Sequence, residues 1–408
     1  MTAKASAQDL PQSTCAWLDT WSQTVAPAGP IGIAVSGGGD SVALLRLASD
    51  WARSNGKNLH VLTVDHGLRT ASAGEASFVE GLADKLGWPS DILVWPGGQP
   101  SARRARKGRH DLLARACQDR GIQHLMLGHT LDDQVETFLM RARQGSGWYG
   151  LGGIDRLSPS PSWPDGMDLT LVRPLFAERR SDLRDLLTRL DQDWVDDPTN
   201  EDEAYERVRM RNLMAARPDT RRRIEGLLPR LGALRRSEQW ALADAIDTCV
   251  TCHPDGSLDF DPTGLTAERA VRVLGWLVQT AAGGAVMPRE TVLRRAFEAI
   301  VTGAAEARTL AGAWLVANSD GAIAIYRDEG SMANPCRRDG HFDGRFAPTG
   351  TGDPILPRDW RAAKTLPADA GHKWRALTGP RLAHLCSIWR RLPKLSQVSR
   401  GSGVVFRK

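Results

Sequence analysis

The sequence has no run of eighteen apolar residues, so no helical membrane span is expected. Its opening stretch, MTAKASAQDLPQST, holds no continuous apolar segment, and no secretory signal is expected from it. Cysteine is scarce and scattered: six residues, at positions 15, 117, 249, 252, 336 and 386, are placed too unevenly for a disulfide framework. These absences point to a reducing, cytoplasmic setting. No internal repeat is visible, and 408 residues suffice for two or three domains with a sizeable core. The overall net charge is only +5, but its distribution is uneven. Arg207 to Arg236 carries ten arginines against Asp219 and Glu225, a net of +8. Arg358 to Lys408 carries twelve Lys and Arg against Asp359 and Asp369, a net of +10, which leaves the remainder near −13. Two basic blocks on an otherwise acidic chain point to a polyanion such as nucleic acid.

The stretch Ile31–Ser54 stands out. An apolar strand-like run, IGIAV, is followed by Ser36-Gly37-Gly38-Gly39-Asp40-Ser41 and then by apolar residues at helical spacing. Glycines let backbone approach a ligand closely, and a helix N-terminus offers unpaired N–H groups to an anion. Such a turn suits a phosphate. It lacks the Gly-Lys-Ser/Thr of a Walker A loop and the third glycine of a dinucleotide fingerprint. The order Ser-Gly-Gly-x-Asp-Ser after a strand resembles the pyrophosphate loop of the N-type ATP pyrophosphatases, which cut ATP between its α- and β-phosphates.

Along the chain the patterns predict strands at Asn58–Val64, Ser90–Trp95, Gln123–Gly128 and Asp168–Phe176. Helices are predicted at Cys15–Val25, Ala71–Leu86, Ser101–Arg120 and Asp132–Arg143. The alternation implies an α/β fold with a doubly wound parallel sheet, its ligand beyond the carboxyl ends of the strands. Ser158–Asp168 reads as a Pro/Ser-rich surface excursion, Arg179–Val250 as helical, and Leu258–Asp328 as an α+β module with strand-like TLAGAWLVA and AIAIYR. The expected division is a catalytic domain over 1–215, a helical/α+β nucleic-acid-binding domain over 216–330 and a small basic C-terminal region over 331–408.

The second chemical signal is Gly128-His129-Thr130-Leu131-Asp132-Asp133-Gln134-Val135-Glu136-Thr137. In a helix starting near Asp132, His129, Asp133 and Glu136 share one face at a strand's carboxyl end. Carboxylates there could ligate the Mg²⁺ of ATP, or could simply cap the helix and meet solvent.

The ordered set SGGGDS (36–41), VDHGLR (64–69), ARKGR (105–109), LGHTLDDQVETFLMR (127–141), GSGWYGL (145–151), RPL (173–175) and WVDDPTN (194–200) resembles the tRNA(Ile)-lysidine synthetase family. The likeness is good over about 28–215 and looser over 288–300 and 308–317. It implies an ATP-dependent carbon–nitrogen ligase acting on the wobble cytidine of an isoleucine tRNA with a CAU anticodon. The cytidine C2 oxygen attacks the ATP α-phosphate and releases pyrophosphate, and the ε-amino group of free L-lysine then displaces AMP. On that reading Ser36, Gly37, Gly38, Gly39, Asp40, Ser41, Asp65, His66 and His129 hold ATP or pyrophosphate. Asp40, Asp133, Glu136, Arg106 and Arg109 serve the chemistry, and Asp133 and Glu136 serve Mg²⁺. Asp40 and Asp133 could partner a metal or the lysine ammonium; Arg106, Arg109 and Arg207 could neutralise phosphate or adenylate oxygens or, equally, contact the tRNA backbone. Arg207, Arg209, Arg211, Arg222 and Arg223 are candidates for tRNA contact. The sequence departs from the family where His110 replaces a tyrosine, and where Arg207-Val208-Arg209-Met210-Arg211 lacks an asparagine. A homodimer is left open. Rival readings are a tRNA thiolase, on the strength of Cys249-x-x-Cys252, a nucleic-acid-binding protein with an inactive nucleotide fold, and an ammonia-using amidotransferase lacking its glutaminase.

Overall fold

The computed structural model describes residues 10–65, 67, 72–95, 102–196, 203–253, 255–283, 287–328, 331, 346–348 and 374–395. The chain forms two compact units. One comprises Met1–Ser160, Leu169–Glu238 and Arg391–Lys408; the other comprises Pro161–Asp168 and Gln239–Arg390. His66 and Asp197–Asn200 lie outside the described residues.

In the first unit, helix α1 (Leu10–Val25) leads to β1 (Ile31–Ala34), α2 (Gly39–Ser54), β2 (Leu59–Asp65), α3 (Ser72–Lys85) and β3 (Ser90–Val94). Then come α4 (Ala102–Asp119), β4 (His124–Leu127), α5 (Leu131–Arg143), the single turn α6 (Trp148–Leu151), β5 (Leu157–Pro159) and β6 (Thr170–Val172). A 3₁₀ turn (Pro174–Ala177), α7 (Arg180–Arg189), α8 (Glu206–Ala215) and α9 (Pro218–Cys249) follow. The six strands pair in the order β3-β2-β1-β4-β6-β5. All neighbours are parallel except β5, which runs antiparallel to β6 at the edge. The chain winds outward from β1 to β3 and then returns to the other side of β1. With right-handed crossovers, α2 and α4 therefore take opposite faces of the sheet. One face is closed by α4, whose Leu113, Ala114 and Cys117 pack on Leu62, Leu125 and Leu171. The aromatic residues of α1 join α2: Trp21 stacks on Trp17 at 6.3 Å and meets Trp51 at 6.2 Å, while the Trp51 indole donates to Asp19.

Two sequence expectations change here. Ser158–Asp168 is not a surface excursion: it begins in β5, and Ser162 and Asp165 are buried. A strand of Leu157-Ser-Pro lacks apolar alternation, and its proline is tolerated because the strand sits at the edge. The predicted strand Asp168–Phe176 is shorter, ending at Val172, because Pro174 turns the chain into the 3₁₀ segment.

The second unit carries the end of α9, then β7 (Val250–Cys252), β8 (Leu258–Phe260), α10 (Ala267–Ala281), α11 (Glu290–Val301), β9 (Ala307–Leu310), β10 (Ala313–Ala317) and β11 (Ile323–Arg327). The strands β12 (Phe346–Pro348) and β13 (Trp374–Ala376) pair with each other, and α12 (Thr378–Leu395) follows. TLAGAWLVA is a hairpin rather than one strand: Ala311 and Gly312 both take positive φ, 51° and 91°, the geometry of a two-residue turn between β9 and β10. The C-terminal region contains a full helix, α12, whose Trp389 packs edge-on against Trp276 at 5.2 Å. No helix among the described residues is long and apolar enough to cross a membrane.

Candidate active site

In a doubly wound sheet the crevice opens where strand order reverses, which here is between β1 and β4. The two turns that leave those strands are Val35–Gly38 and Gly128–Thr130. The second lies against the start of α2, into which the first leads: a Cβ on Gly128 would stand 3.1 Å from both Asp40 O and Ser41 Cα. Gly128 is therefore required by close approach of backbone to backbone. Gly128→Ala is expected to cost about 1–3 kcal/mol by overpacking and to raise the KM for ATP, read from thermal unfolding and initial rates.

The phosphate loop is built from its own side chains. Ser41 Oγ donates to Gly38 O at 2.8 Å and accepts from Ser36 N at 3.2 Å, with Ser36 Oγ 3.3 Å away. Gly37 has φ +85° and its carbonyl accepts from Val195 N at 2.9 Å, so only glycine suits that position. Helix α2 begins at Gly39, and its first N–H groups face the loop.

Asp40 follows, about a fifth exposed, with Oδ2 accepting from Arg180 Nε at 2.9 Å. Burial raises its pKa, which Arg180 only partly offsets. Its Oδ1 is buried and accepts no hydrogen bond.

On α5, Asp133 is 7% exposed and Glu136 3%, so neither is a solvated surface acid. Asp133 has a structural task too: its Oδ2 accepts from Thr130 N at 2.8 Å and from Thr130 Oγ1 at 3.1 Å, one arm of a capping arrangement. Its Oδ1 faces Arg207 Nη1 at 3.5 Å and Arg180 Nη2 at 3.8 Å. Glu136 Oε1 accepts from Arg211 Nε at 3.1 Å and faces Arg180 Nη1 at 3.6 Å, while Oε2 is buried without a hydrogen bond. Burial and the Asp133 charge raise the Glu136 pKa. Asp132 plays neither part. It accepts from Arg180 N at 2.8 Å and Arg221 Nη2 at 2.7 Å, which outweigh its burial and lower its pKa.

Arg180 is the residue the sequence did not single out. Burial alone would lower its pKa, but Asp40, Asp133 and Glu136 outweigh burial and raise it. It opens α7 within Glu178-Arg179-Arg180, which reads as an ordinary solvated helix start.

Arg207 and Arg211 are four apart on α8 and so reach the carboxylates together, whereas Arg209 is exposed and donates to Glu203 O and Ala204 O. The helix is held there by Met214, which clusters with Val135 of α5 and Ile224 and Leu228 of α9. Arg222 and Arg223 are exposed on α9, Arg222 paired with Asp219. On α4, desolvation and then Arg207 lower the pKa of Arg106, against the opposing charge of Asp133, while desolvation, Arg106 and Arg207 lower that of Arg109. His110 is pushed down to about 3 by burial and by Arg109. His129, beside Phe176, is likewise lowered to about 3 by burial and then Arg173, so it stays neutral at physiological pH. Asp65 shapes the turn after β2, its Oδ1 accepting from Gly67 N at 2.9 Å and Ser72 Oγ at 2.6 Å.

The glycine-rich segment after α5 is clamped to that helix. Arg141 donates to Gly150 O and Gly153 O, both at 2.6 Å, and Gln134 pairs with both backbone groups of Ile154 at 3.0 Å. Arg235 donates to Asp155 at 2.8 Å.

A parallel sheet whose switch point holds Ser-Gly-Gly-Gly-Asp-Ser defines a PP-loop nucleotide-binding domain, and residues 17–217 match the PP-loop domain model. The chain is 46% identical over 273 residues to the tRNA(Ile)-lysidine synthase of Hyphomonas neptunium, covering 67% of this chain and 74% of that one. It is 34% identical over 310 residues to that of Caulobacter vibrioides, covering 74% and 68%. The chain belongs to the tRNA(Ile)-lysidine synthase family. Among solved structures, the U34-tRNA thiolase NcsA from Methanococcus maripaludis overlays with a TM-score of 0.45 at 16% identity, over 55% of this chain and 78% of that one. A likeness at that level says nothing of activity.

Proposed function

We propose that the chain is an ATP-dependent carbon–nitrogen ligase that converts the wobble cytidine of CAU-anticodon tRNA(Ile) to lysidine in the cytoplasm. The cytidine C2 oxygen attacks the α-phosphorus and pyrophosphate leaves. The ε-amine of free L-lysine, having given up its ammonium proton, then attacks C2, and AMP leaves with the oxygen. The observation that carries this reading is the convergence of Asp40, Asp133 and Glu136 from two separate strand ends onto one guanidinium beside the phosphate loop.

Loop amides, Ser36 and Ser41 would cradle the pyrophosphate, and Arg106 and Arg109 would neutralise oxygens of the adenylate. Asp133 and Glu136 would receive the lysine ammonium. Mg²⁺ would neutralise the phosphates. The buried acceptor oxygens Asp40 Oδ1 and Glu136 Oε2 are of the hard type it takes. Both oxygens of Asp133 are already engaged. No group of three or more acidic, histidine or cysteine side chains among the described residues could hold a metal ion, so the phosphates would supply ligands of their own.

The test is incubation with ATP, Mg²⁺, labelled lysine and CAU-anticodon tRNA(Ile), followed by nucleoside analysis. Label in lysidine is expected; none would reject the reading. The two basic blocks would hold the tRNA. Arg222→Ala combined with Arg223→Ala is expected to raise the KM for tRNA and flatten its salt dependence by about one logarithmic slope unit per lost phosphate contact. The KM for ATP should not move. Measurement at two salt concentrations checks this.

A further inference from the structure

The phosphate loop and the carboxylates of α5 share Arg180, whose side chain is 19% exposed. Its Nε is hydrogen-bonded to Asp40 Oδ2 at 2.9 Å. Its terminal nitrogens stand 3.8 Å from Asp133 Oδ1 and 3.6 Å from Glu136 Oε1, too long for hydrogen bonds, so those contacts act through charge alone. Arg207 meets Asp133 at 3.5 Å and Arg211 meets Glu136 at 3.1 Å. Asp40, Asp133 and Glu136 thus each face arginines among Arg180, Arg207 and Arg211, with Asp132 paired to Arg221 and Arg106 near Asp133 and Arg207, in a place where an uncompensated charge is costly.

That arrangement constrains the order in which substrates enter. An ε-ammonium arriving alone would add a positive charge where the buried carboxylates already face arginines. A nucleotide arriving first brings several negative charges to the loop at Ser36–Ser41, and a guanidinium readily exchanges carboxylate for phosphate. We propose that Arg180 holds the place of the lysine ε-ammonium beside Asp133 and Glu136 and yields it when the phosphates of ATP occupy the loop, so that nucleotide binds before lysine. This rests on the reading above that lysine is the second substrate. The distances fit the division of labour. Nε is the tightly held point on Asp40, and the terminal nitrogens are the loosely held end that turns. Arg180 is on this account a positioning residue that couples two substrate sites.

The test is equilibrium binding of labelled lysine to the full chain, with anticodon stem-loop RNA present throughout, with and without α,β-methylene-ATP. The wild type is expected to bind lysine about tenfold or more tightly with the analogue, within the usual range of coupling between sites. Arg180→Gln is expected to bind lysine without the analogue as well as the wild type does with it, and the coupling factor should fall to near one. Arg180→Lys keeps the charge but loses the fork that spans Asp40 and the α5 pair. Its coupling should fall below that of the wild type, which keeps the idea testable if the glutamine variant fails to fold. Equal lysine affinity with and without the analogue in the wild type would overturn the proposal. So would unchanged coupling in either variant, or lower lysine affinity in Arg180→Gln alongside a lowered Tm and intact coupling. If the wild type fails to put lysine into tRNA, the functional reading itself fails. If it makes lysidine without coupling, only this proposal fails.

Discussion

Asp40→Asn is expected to reduce pyrophosphate release by about 10²-fold or more, the usual cost of removing one preorganised charge at a reacting centre. The effect on the fold is expected to be small, because the burial cost it removes is set against the Arg180 charge it leaves unpaired. Burial raises the Asp40 pKa despite Arg180, so the folded state disfavours its ionised form. A carboxylate whose folded pKa exceeds its unfolded value reduces stability once pH rises above both, and a neutral isostere removes that cost; the same change takes from Arg180 the first of the charges that raise its own pKa, so the two effects oppose each other. Release of labelled pyrophosphate and thermal unfolding at pH 7.5, run on the same preparation, provide the check. Near-normal release would remove Asp40 from the chemistry. Lost release with a large drop in Tm would make it a structural residue that happens to lie in the loop.

The parts of this site legible in the sequence are those written contiguously. The loop from Ser36 to Ser41 and the run from Gly128 to Glu136 each carry their geometry locally, in glycines that permit close approach and in a three- or four-residue helical spacing. What remained hidden crosses the chain. Arg180 lies 140 residues from Asp40, and no local pattern distinguishes it from neighbouring Arg179, which instead pairs with Glu225. Arg207 was legible in part, as a candidate for phosphate or adenylate oxygens besides tRNA, and Arg211 only as a candidate tRNA contact, yet their spacing of four turns both toward α5. A helical wheel of Glu206–Ala215 separates them from Arg209, and that was the available signal. In the fold, β5 was missed because Leu157-Ser-Pro offers no alternation, and the β9–β10 hairpin because Ala311-Gly312 lacks the Asn or Asp that usually marks such a turn. Alternation of long strands and helices survived because each such element carries several core residues, as Leu59, Val61 and Leu62 do in β2.

Glu136→Gln and Asp133→Asn are expected to part company in stability while agreeing in activity. Both remove a buried negative charge facing Arg180, and both should lower transfer of lysine to the adenylated base by about 10²-fold or more if they receive its ammonium. Glu136 has no capping role, and burial together with the Asp133 charge raises its pKa. Its amide relieves that burial cost but takes a partner from the part-exposed Arg211, so Tm should change little. Asp133 differs, because its Oδ2 accepts both the backbone N–H and the hydroxyl of Thr130 at the start of α5. An asparagine retains one acceptor oxygen but weakens a charge-assisted pair, so a loss of about 1 kcal/mol is expected, the size of a lost helix cap. Single-turnover transfer from preformed adenylated tRNA isolates the lysine step from pyrophosphate release, and chemical unfolding at pH 7.5 gives the stability difference. If both variants lose stability alike and keep transfer, the α5 carboxylates are structural counter-charges for Arg180, Arg207 and Arg211. If transfer falls in both but Tm falls only in Asp133→Asn, the lysine site lies at the face of α5 that Asp133 and Glu136 share.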